Sequence, residues 1–149
     1  MGRRHHSIIP KLNRDSNSRK SLFKVQLKDL IEKGKITTTV TKAKIIKRLF
    51  DKLAAKATEG TLASRRNVAA TLSSPKSANR LVDAIIPVMG SRKSGFTTIR
   101  KVSVRKGDSV SEASLSLVAF PPVLEKKVEP KKVTAKTDKK EVKKDKKAK

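Results

Sequence analysis

The sequence predicts an α+β domain with two layers, in which helices pack on a small three-stranded mixed sheet. Two observations lead to this class. Apolar residues at helical spacing alternate along the chain with short runs of β-branched residues, in the order α-β-α-α-α-β-β. The chain is also long enough for one modest core even if its ends lie outside the fold. We therefore predict one domain over residues 15–120, between an extended basic arm (1–14) and a disordered lysine-rich tail (121–149).

The first helix is predicted to begin after Asp15 or Ser16, whose side chains can accept hydrogen bonds from the free amides of a first turn. It ends at Lys33-Gly34, because glycine adopts the left-handed conformation without steric cost. A short strand follows over 36–40, where the β-branched run Ile-Thr-Thr-Thr-Val suits a pleated sheet better than a helix. The apolar face of this first helix is formed by Phe23, Leu27, Leu30 and Ile31.

Three further helices are predicted before the sheet resumes. Thr41 is expected to cap the second, which is amphipathic with a basic exposed face. The third covers 62–72, and Ser74-Pro75 begins a fourth over about 76–88. The residues expected to face the core are Ile46, Phe50, Leu53, Ala54 and Ala57 in the second helix, and Leu81, Ile85 and Val88 in the fourth.

Two strands close the domain. Residues 96–104 and 112–120 are rich in Thr, Val, Ile and alternating Ser, and turn residues at 106–108 lie between them, so an antiparallel hairpin is predicted. The segment 90–95 before this hairpin has the glycine spacing of a phosphate-binding loop. However, Phe96 occupies the position of the required lysine, and a strand follows instead of a helix. We interpret it as a basic loop in which Arg92 and Lys93 can bind phosphate.

The composition indicates a polyanionic partner. The formal charge is +25, from 38 lysines and arginines against 13 acidic residues, and a charge of that size opposes compaction unless it is neutralised. The excess is not confined to the ends, because residues 25–120 alone carry 19 basic and seven acidic residues. Four Phe, without Trp or Tyr, are too few aromatic residues for a membrane anchor or for base stacking. We therefore expect RNA recognised through its backbone and shape, and no membrane partner.

Catalytic and cofactor chemistry is not expected. The chain has no cysteine, and its two histidines, His5 and His6, are adjacent in the arm and cannot converge on one metal or base position. The acidic residues occur singly near lysines, and no apolar run is long enough to span a bilayer. The sequence thus predicts a cytoplasmic protein that is not an enzyme and takes no cofactor, metal or small-molecule substrate.

Four blocks of sequence resemble the bacterial ribosomal protein L17 (bL17) family, over nearly the whole chain before the tail. They are the basic start at 3–14, Ile-Thr-Thr-Thr-Val-Thr-Lys-Ala-Lys at 36–44, Leu-Ala-Ser-Arg-Arg at 62–66, and Gly-Phe-Thr-Thr-Ile at 95–99 followed by Arg-Lys-Gly-Asp at 105–108. The resemblance implies a structural protein of the large ribosomal subunit that binds 23S ribosomal RNA near the peptide exit region. It also implies neighbouring ribosomal proteins as partners, and no homo-oligomer.

On this hypothesis the arm, the start of the first helix and the 36–44 block insert among RNA helices, where their cations neutralise phosphates. The alternative is a histone-like protein that compacts DNA, for which a lysine-rich tail suffices. The folded part separates the two, because a tail-driven compactor requires neither the Thr-rich strand nor the double-arginine block. The residues predicted to bind RNA are Arg3, Arg4, His5, His6, Lys11, Asn13, Arg14, Arg19, Lys20, Lys35, Thr37, Thr38, Lys42, Lys44, Arg65, Arg66, Arg92 and Lys93.

Overall fold

The structure, a computed structural model, describes residues 10–121, which form helices packed on one side of a three-stranded sheet. The predicted α+β class and order of elements are confirmed. Residues 1–9 of the predicted arm and 122–149 of the predicted tail lie outside the described residues. In chain order the elements are α1 (Ser16–Lys33), β1 (Lys35–Thr39), α2 (Val40–Thr58), α3 (Leu62–Leu72), α4 (Pro75–Arg80), a π-helical turn (Leu81–Ile85), α5 (Ile86–Met89), β2 (Thr97–Val104) and β3 (Ser111–Leu117).

Local capping fixes most helix ends as predicted. The Asp15 carboxylate accepts hydrogen bonds from the amides of Asn17 and Ser18, and Gly34 ends α1 in the left-handed conformation. The predicted cap of α2 is wrong: the helix begins at Val40, and its N-cap is Thr39, which makes no capping hydrogen bond with its side chain. Because Thr39 still pairs with β3, the chain passes from strand to helix without the extra residues that a cap at 41 requires.

The sheet is antiparallel throughout the described residues, which corrects the mixed sheet that the sequence predicted. Its strand order is β1-β3-β2, and both outer strands run antiparallel to β3. The strand with the most buried side chains takes the centre, where Ala113, Leu115 and Leu117 face the helices. β1 and β2 therefore run in the same direction, but β3 separates them, so no parallel pair forms.

The core lies between the sheet and the helices, and α2 contributes most to it. All five residues of its predicted apolar stripe are buried, as are the four predicted on α1. Phe50 and Phe96 are the largest fully buried side chains among the described residues. This packing leaves one face of the sheet uncovered by helices.

The π-helical turn changes which residues of the predicted fourth helix face the core. The amide of Ile86 donates to the carbonyl of Leu81, five residues earlier, so this turn holds one residue more than an α-helical turn. Leu81 and Ile85 are buried as predicted, but Val88 is 47% exposed and Met89, at 4%, takes the inward position. The prediction for Val88 was wrong because the extra residue rotates the helix face.

A cluster around Gly34 joins the end of α1 to the chain that leaves β3. β3 was predicted to reach residue 120, but it ends at Leu117, whose amide donates to the Gly34 carbonyl over 2.9 Å. Phe120 then packs on Gly34 so closely that a Cβ at this glycine would lie 2.7 Å from the ring. The Arg80 guanidinium lies 5.7 Å from the ring centre and donates to the Glu32 carbonyl over 3.2 Å.

Candidate nucleic-acid interface

Most cations of the domain have no acidic partner within it. Residues 10–121 contain 24 lysines and arginines but only eight aspartates and glutamates. Among these described residues, only Lys33, Arg65 and Arg105 form ion pairs within 4 Å. The remaining positive charge therefore needs counter-charge from outside the described chain, which a polyanion supplies.

The segment before α1 is a tight turn that presents basic residues. The amide of Arg14 donates to the Lys11 carbonyl over 3.1 Å, and both Leu12 and Asn13 have positive φ. The Arg14 guanidinium donates to the Leu12 carbonyl, and that of the half-buried Arg19 donates to the Arg14 carbonyl. Two of the four cations predicted at the start of the described chain thus also hold the turn in shape. Of the residues predicted to bind RNA in this segment, Lys11, Asn13, Arg14 and Lys20 are exposed.

The uncovered face of the sheet, called here the outer sheet face, carries polar side chains in two rows across the strands. Its members are Lys35, Ser116 and Thr98 in one row and Thr37, Ser114 and Arg100 in the next. Neither Lys35 nor Arg100 has a carboxylate within 4 Å in the part of the chain described. The predicted Thr38 belongs to the opposite face, where its hydroxyl oxygen accepts a hydrogen bond from the Gln26 side chain.

Sequence reasoning missed Thr98 and Arg100. The alternation of Thr98, Ile99 and Arg100 was a usable signal, because it places the first and third on the face opposite the apolar residue. What the sequence could not give was the pairing across β3, which brings these residues beside Lys35 and Thr37. The structure thus joins two predicted residues with two from a distant segment.

The double-arginine block separates into two roles. The Arg65 guanidinium donates to both carboxylate oxygens of Asp83, over 3.0 and 2.6 Å, and to the Asn79 side chain over 3.1 Å. It therefore links α3 to the π-helical turn. Arg66 is exposed and forms no ion pair among the described residues, so it is the one available to an external anion.

We expect the Asp83→Asn variant to be less stable than wild type at neutral pH and to lose this deficit in acid. Hydrogen bonds from Arg65 hold the pKa of the Asp83 carboxyl below its ordinary value of 3.8. A carboxyl group with a lowered pKa in the folded state stabilises the fold above pH 3.8, and the contribution disappears as the pH falls through the lowered pKa. Melting temperatures of both proteins between pH 7 and pH 3 check this.

The matched control is Asp29→Asn, which removes an exposed single contact of 3.5 Å with Lys33 and should change the melting temperature little. The charge-assisted role of Asp83 is wrong if its variant melts with wild type at pH 7, or if the gap between them stays constant down to pH 3.

The remaining predicted residues are spread over the surface. Lys44 is exposed and Lys42 half-buried on α2, while Arg92 and Lys93 are exposed in the loop before β2. Asp51 anchors that loop, since its carboxylate accepts a hydrogen bond from the Phe96 amide over 3.2 Å. Four predicted residues lie outside the described chain: Arg3, Arg4, His5 and His6.

Neither metal ligation nor membrane insertion is indicated within residues 10–121. No group of three His, Cys, Asp or Glu side chains there is placed to hold a metal ion. No helix there is long and apolar enough to cross a membrane. The chemistry that this surface offers is the binding of anions by exposed cations and hydroxyls.

Comparison with protein families finds that the model of ribosomal protein L17 matches residues 22–118, which is most of the described chain. The chain belongs to the ribosomal protein L17 family. Relatives named large ribosomal subunit protein bL17 agree with this assignment. The relative from Solibacter usitatus is 40% identical over 115 residues, which cover 77% of each chain. The relative from Wolinella succinogenes is 40% identical over 77% of this chain and 99% of its own. The relative from Fervidobacterium nodosum is 38% identical over 125 residues.

Membership of the ribosomal protein L17 family confirms two predictions from the sequence. The resemblance to this family is correct, and the chain is a structural ribosomal protein and not an enzyme. The name of the relatives also agrees with the large-subunit role that the resemblance implied.

Proposed function

We propose that this chain is a structural constituent of the large ribosomal subunit in the bacterial cytoplasm, where it binds and stabilises 23S ribosomal RNA near the peptide exit region. Its other partners are neighbouring large-subunit proteins, and it acts as a single copy and not as a homo-oligomer. The L17 family membership and the name of the relatives support the subunit. The outer sheet face is the observation that supports RNA binding.

The outer sheet face combines cations with hydroxyl groups and has no aromatic side chain in its two rows. Lys35 and Arg100 stand at opposite edges of the sheet, and the exposed hydroxyl groups of Thr37 and Thr98 lie on the same edge strands beside them. On the central strand between them, Ser116 is half-buried and Ser114 is buried. Lysine and arginine bind phosphate oxygens, whereas threonine and serine hydroxyls can also bind the ribose 2′-hydroxyl that distinguishes RNA from DNA. Without stacking residues, this face recognises the backbone and shape of RNA and not its bases.

Two double variants test this proposal, with binding measured on 23S ribosomal RNA transcribed in vitro and on DNA of the same sequence. Lys35→Gln with Arg100→Gln should weaken binding to both and lower the slope of log affinity against log salt by about 2. Thr37→Val with Thr98→Val should weaken RNA binding more than DNA binding, because only RNA offers the 2′-hydroxyl. Valine retains the β-branched shape that suits both strands.

The matched control is Lys76→Gln with Lys106→Gln, which removes two exposed cations outside the two rows of the outer sheet face. It should change neither the slope of log affinity against log salt nor the preference for RNA over DNA. Equal affinity for RNA and DNA in wild type, unchanged by either outer-face variant, would instead support the histone-like alternative.

A further inference from the structure

The exposed side of α2 carries a single row of positive charge, called here the α2 ridge. Its members, all exposed and spaced four residues apart, are Lys44, Arg48, Lys52 and Lys56. Residues four apart on an α-helix are neighbours on one face, so the ridge runs along the helix for about 18 Å in steps of about 6 Å. Of these four residues, only Lys44 was predicted from the sequence to bind RNA.

The ridge has no neutralising partner among residues 10–121. None of its cations has a carboxylate within 4 Å, and Asp51, the acidic residue within α2, binds the Phe96 amide instead. Each pair of like charges four residues apart destabilises a helix by about 0.2–0.5 kcal/mol, and the ridge contains three such pairs in a row. This arrangement opposes folding of the free domain and becomes favourable only when an external anion lies along it.

The ridge faces away from the sheet. Arg48 and Lys52 each lie two residues from the fully buried Phe50, which places them about 200° around the helix from it. Because the buried stripe of α2 packs against the inner face of the sheet, the ridge and the outer sheet face lie on opposite sides of the two-layer domain.

We infer that the α2 ridge binds the phosphate backbone of a second RNA segment, so that the domain joins two segments of RNA held on its opposite sides. The inference rests on the proposed RNA-binding function and adds a second surface to it. A row of point charges suits a run of phosphates and carries no base specificity. An anionic membrane fits less well, because the apolar stripe of α2 is buried in the core and leaves nothing to insert among lipids.

Directed hydroxyl-radical cleavage tests where each surface lies on the RNA. The chain contains no cysteine, so a single introduced cysteine carries the only iron chelate. Ala55→Cys places it on the exposed side of α2 beside the ridge, and Ser103→Cys places it on the outer sheet face next to its two rows. Each labelled chain is bound to 23S ribosomal RNA transcribed in vitro. We expect both positions to cleave the RNA, at different segments.

Failure of the inference about the α2 ridge and failure of the proposed function give different cleavage results. Cleavage from residue 103 but not from residue 55, or cleavage of the same nucleotides from both, would overturn the second surface and leave the proposed function standing. Absence of cleavage from both positions would overturn the proposed function as well.

A charge-removal variant then tests the ridge itself. The triple variant combines Arg48→Gln, Lys52→Gln and Lys56→Gln, and the measurement is how far the bound chain protects the RNA from free hydroxyl radicals. The variant should no longer protect the segment cleaved from residue 55 but should still protect the other segment. It should also lower the slope of log affinity against log salt by about 2–3. Glutamine is a good helix former, so the melting temperature should be unchanged or higher. The control Lys76→Gln with Lys101→Gln and Lys106→Gln removes the same charge elsewhere and should keep both protections. A ridge variant that protects both segments like wild type would overturn the inference.

Discussion

The Gly34→Val variant is expected to lose about 2–5 kcal/mol of unfolding free energy, from two separate causes. Gly34 has a φ of +73°, a conformation that costs a residue with a side chain about 1–2 kcal/mol. Its new Cβ would also lie 2.7 Å from the Phe120 ring, and overpacking of this kind costs about 1–3 kcal/mol. Urea unfolding followed by circular dichroism, at one fixed ionic strength, gives the free energies.

Gly60 provides the matched control for the conformational cost. It has a φ of +66°, yet nothing lies within 4 Å of where its Cβ would stand. Gly60→Val should therefore lose about 1–2 kcal/mol only. If the two valine variants are equally destabilised, the contact between Gly34 and Phe120 has no energetic role.

A double variant isolates the contribution of the ring. With Phe120→Ala in place, Gly34→Val should cost about as much as Gly60→Val, because the obstructing ring has been removed. The difference between the cost of Gly34→Val with and without the ring measures the contact directly. A cost that does not change when the ring is absent would place the whole effect in the backbone.

Raising the salt concentration from 50 to 200 mM is expected to weaken binding of the chain to 23S ribosomal RNA by roughly 10³–10⁵-fold, as for about 6–10 phosphate contacts. The proposed surfaces supply cations in that range because most of their lysines and arginines are unpaired. Affinity measured by filter binding across the salt series gives the slope. The contributing residues are Lys11, Arg14, Lys20, Lys35, Lys44, Arg48, Lys52, Lys56 and Arg100.

Removal of residues 122–149 separates the folded domain from the lysine-rich tail. The truncated chain should keep most of the slope of log affinity against log salt, and it should keep its preference for RNA over DNA. In a gradient of cell lysate it should still sediment with the large subunit. A truncated chain that loses nearly all binding, or a full chain that sediments with DNA, would favour the DNA-compacting alternative.

The sequence was sufficient where structure depends on neighbouring residues. Asp15 and Gly34 mark the ends of α1 through hydrogen bonds that span one helical turn, so both ends could be predicted. The inward position of Met89 could not, because the π-helical turn before it has no distinctive residue in the sequence. The position of β3 between β1 and β2 also depends on pairing between segments far apart in the chain.

The candidate interface shows the same division. Lys35 and Thr37 were found from a local block of sequence, and both lie on the outer sheet face. Arg65 belongs to the same kind of block, but its geometry with Asp83 depends on how α3 packs against the π-helical turn. Composition could show that cations were in excess, but only the fold shows which of them lack a carboxylate.

The central position of β3 also fixes the order in which the two proposed RNA-binding surfaces arise during synthesis. β3 begins at Ser111, about 70 residues after β1 ends at Thr39, so neither β1 nor β2 can pair before nearly the whole domain has been translated. The backbone hydrogen bonds of α2, in contrast, all lie within its own 19 residues. A nascent chain can therefore form the α2 ridge first, whereas the outer sheet face forms only when β3 emerges and pairs with both other strands.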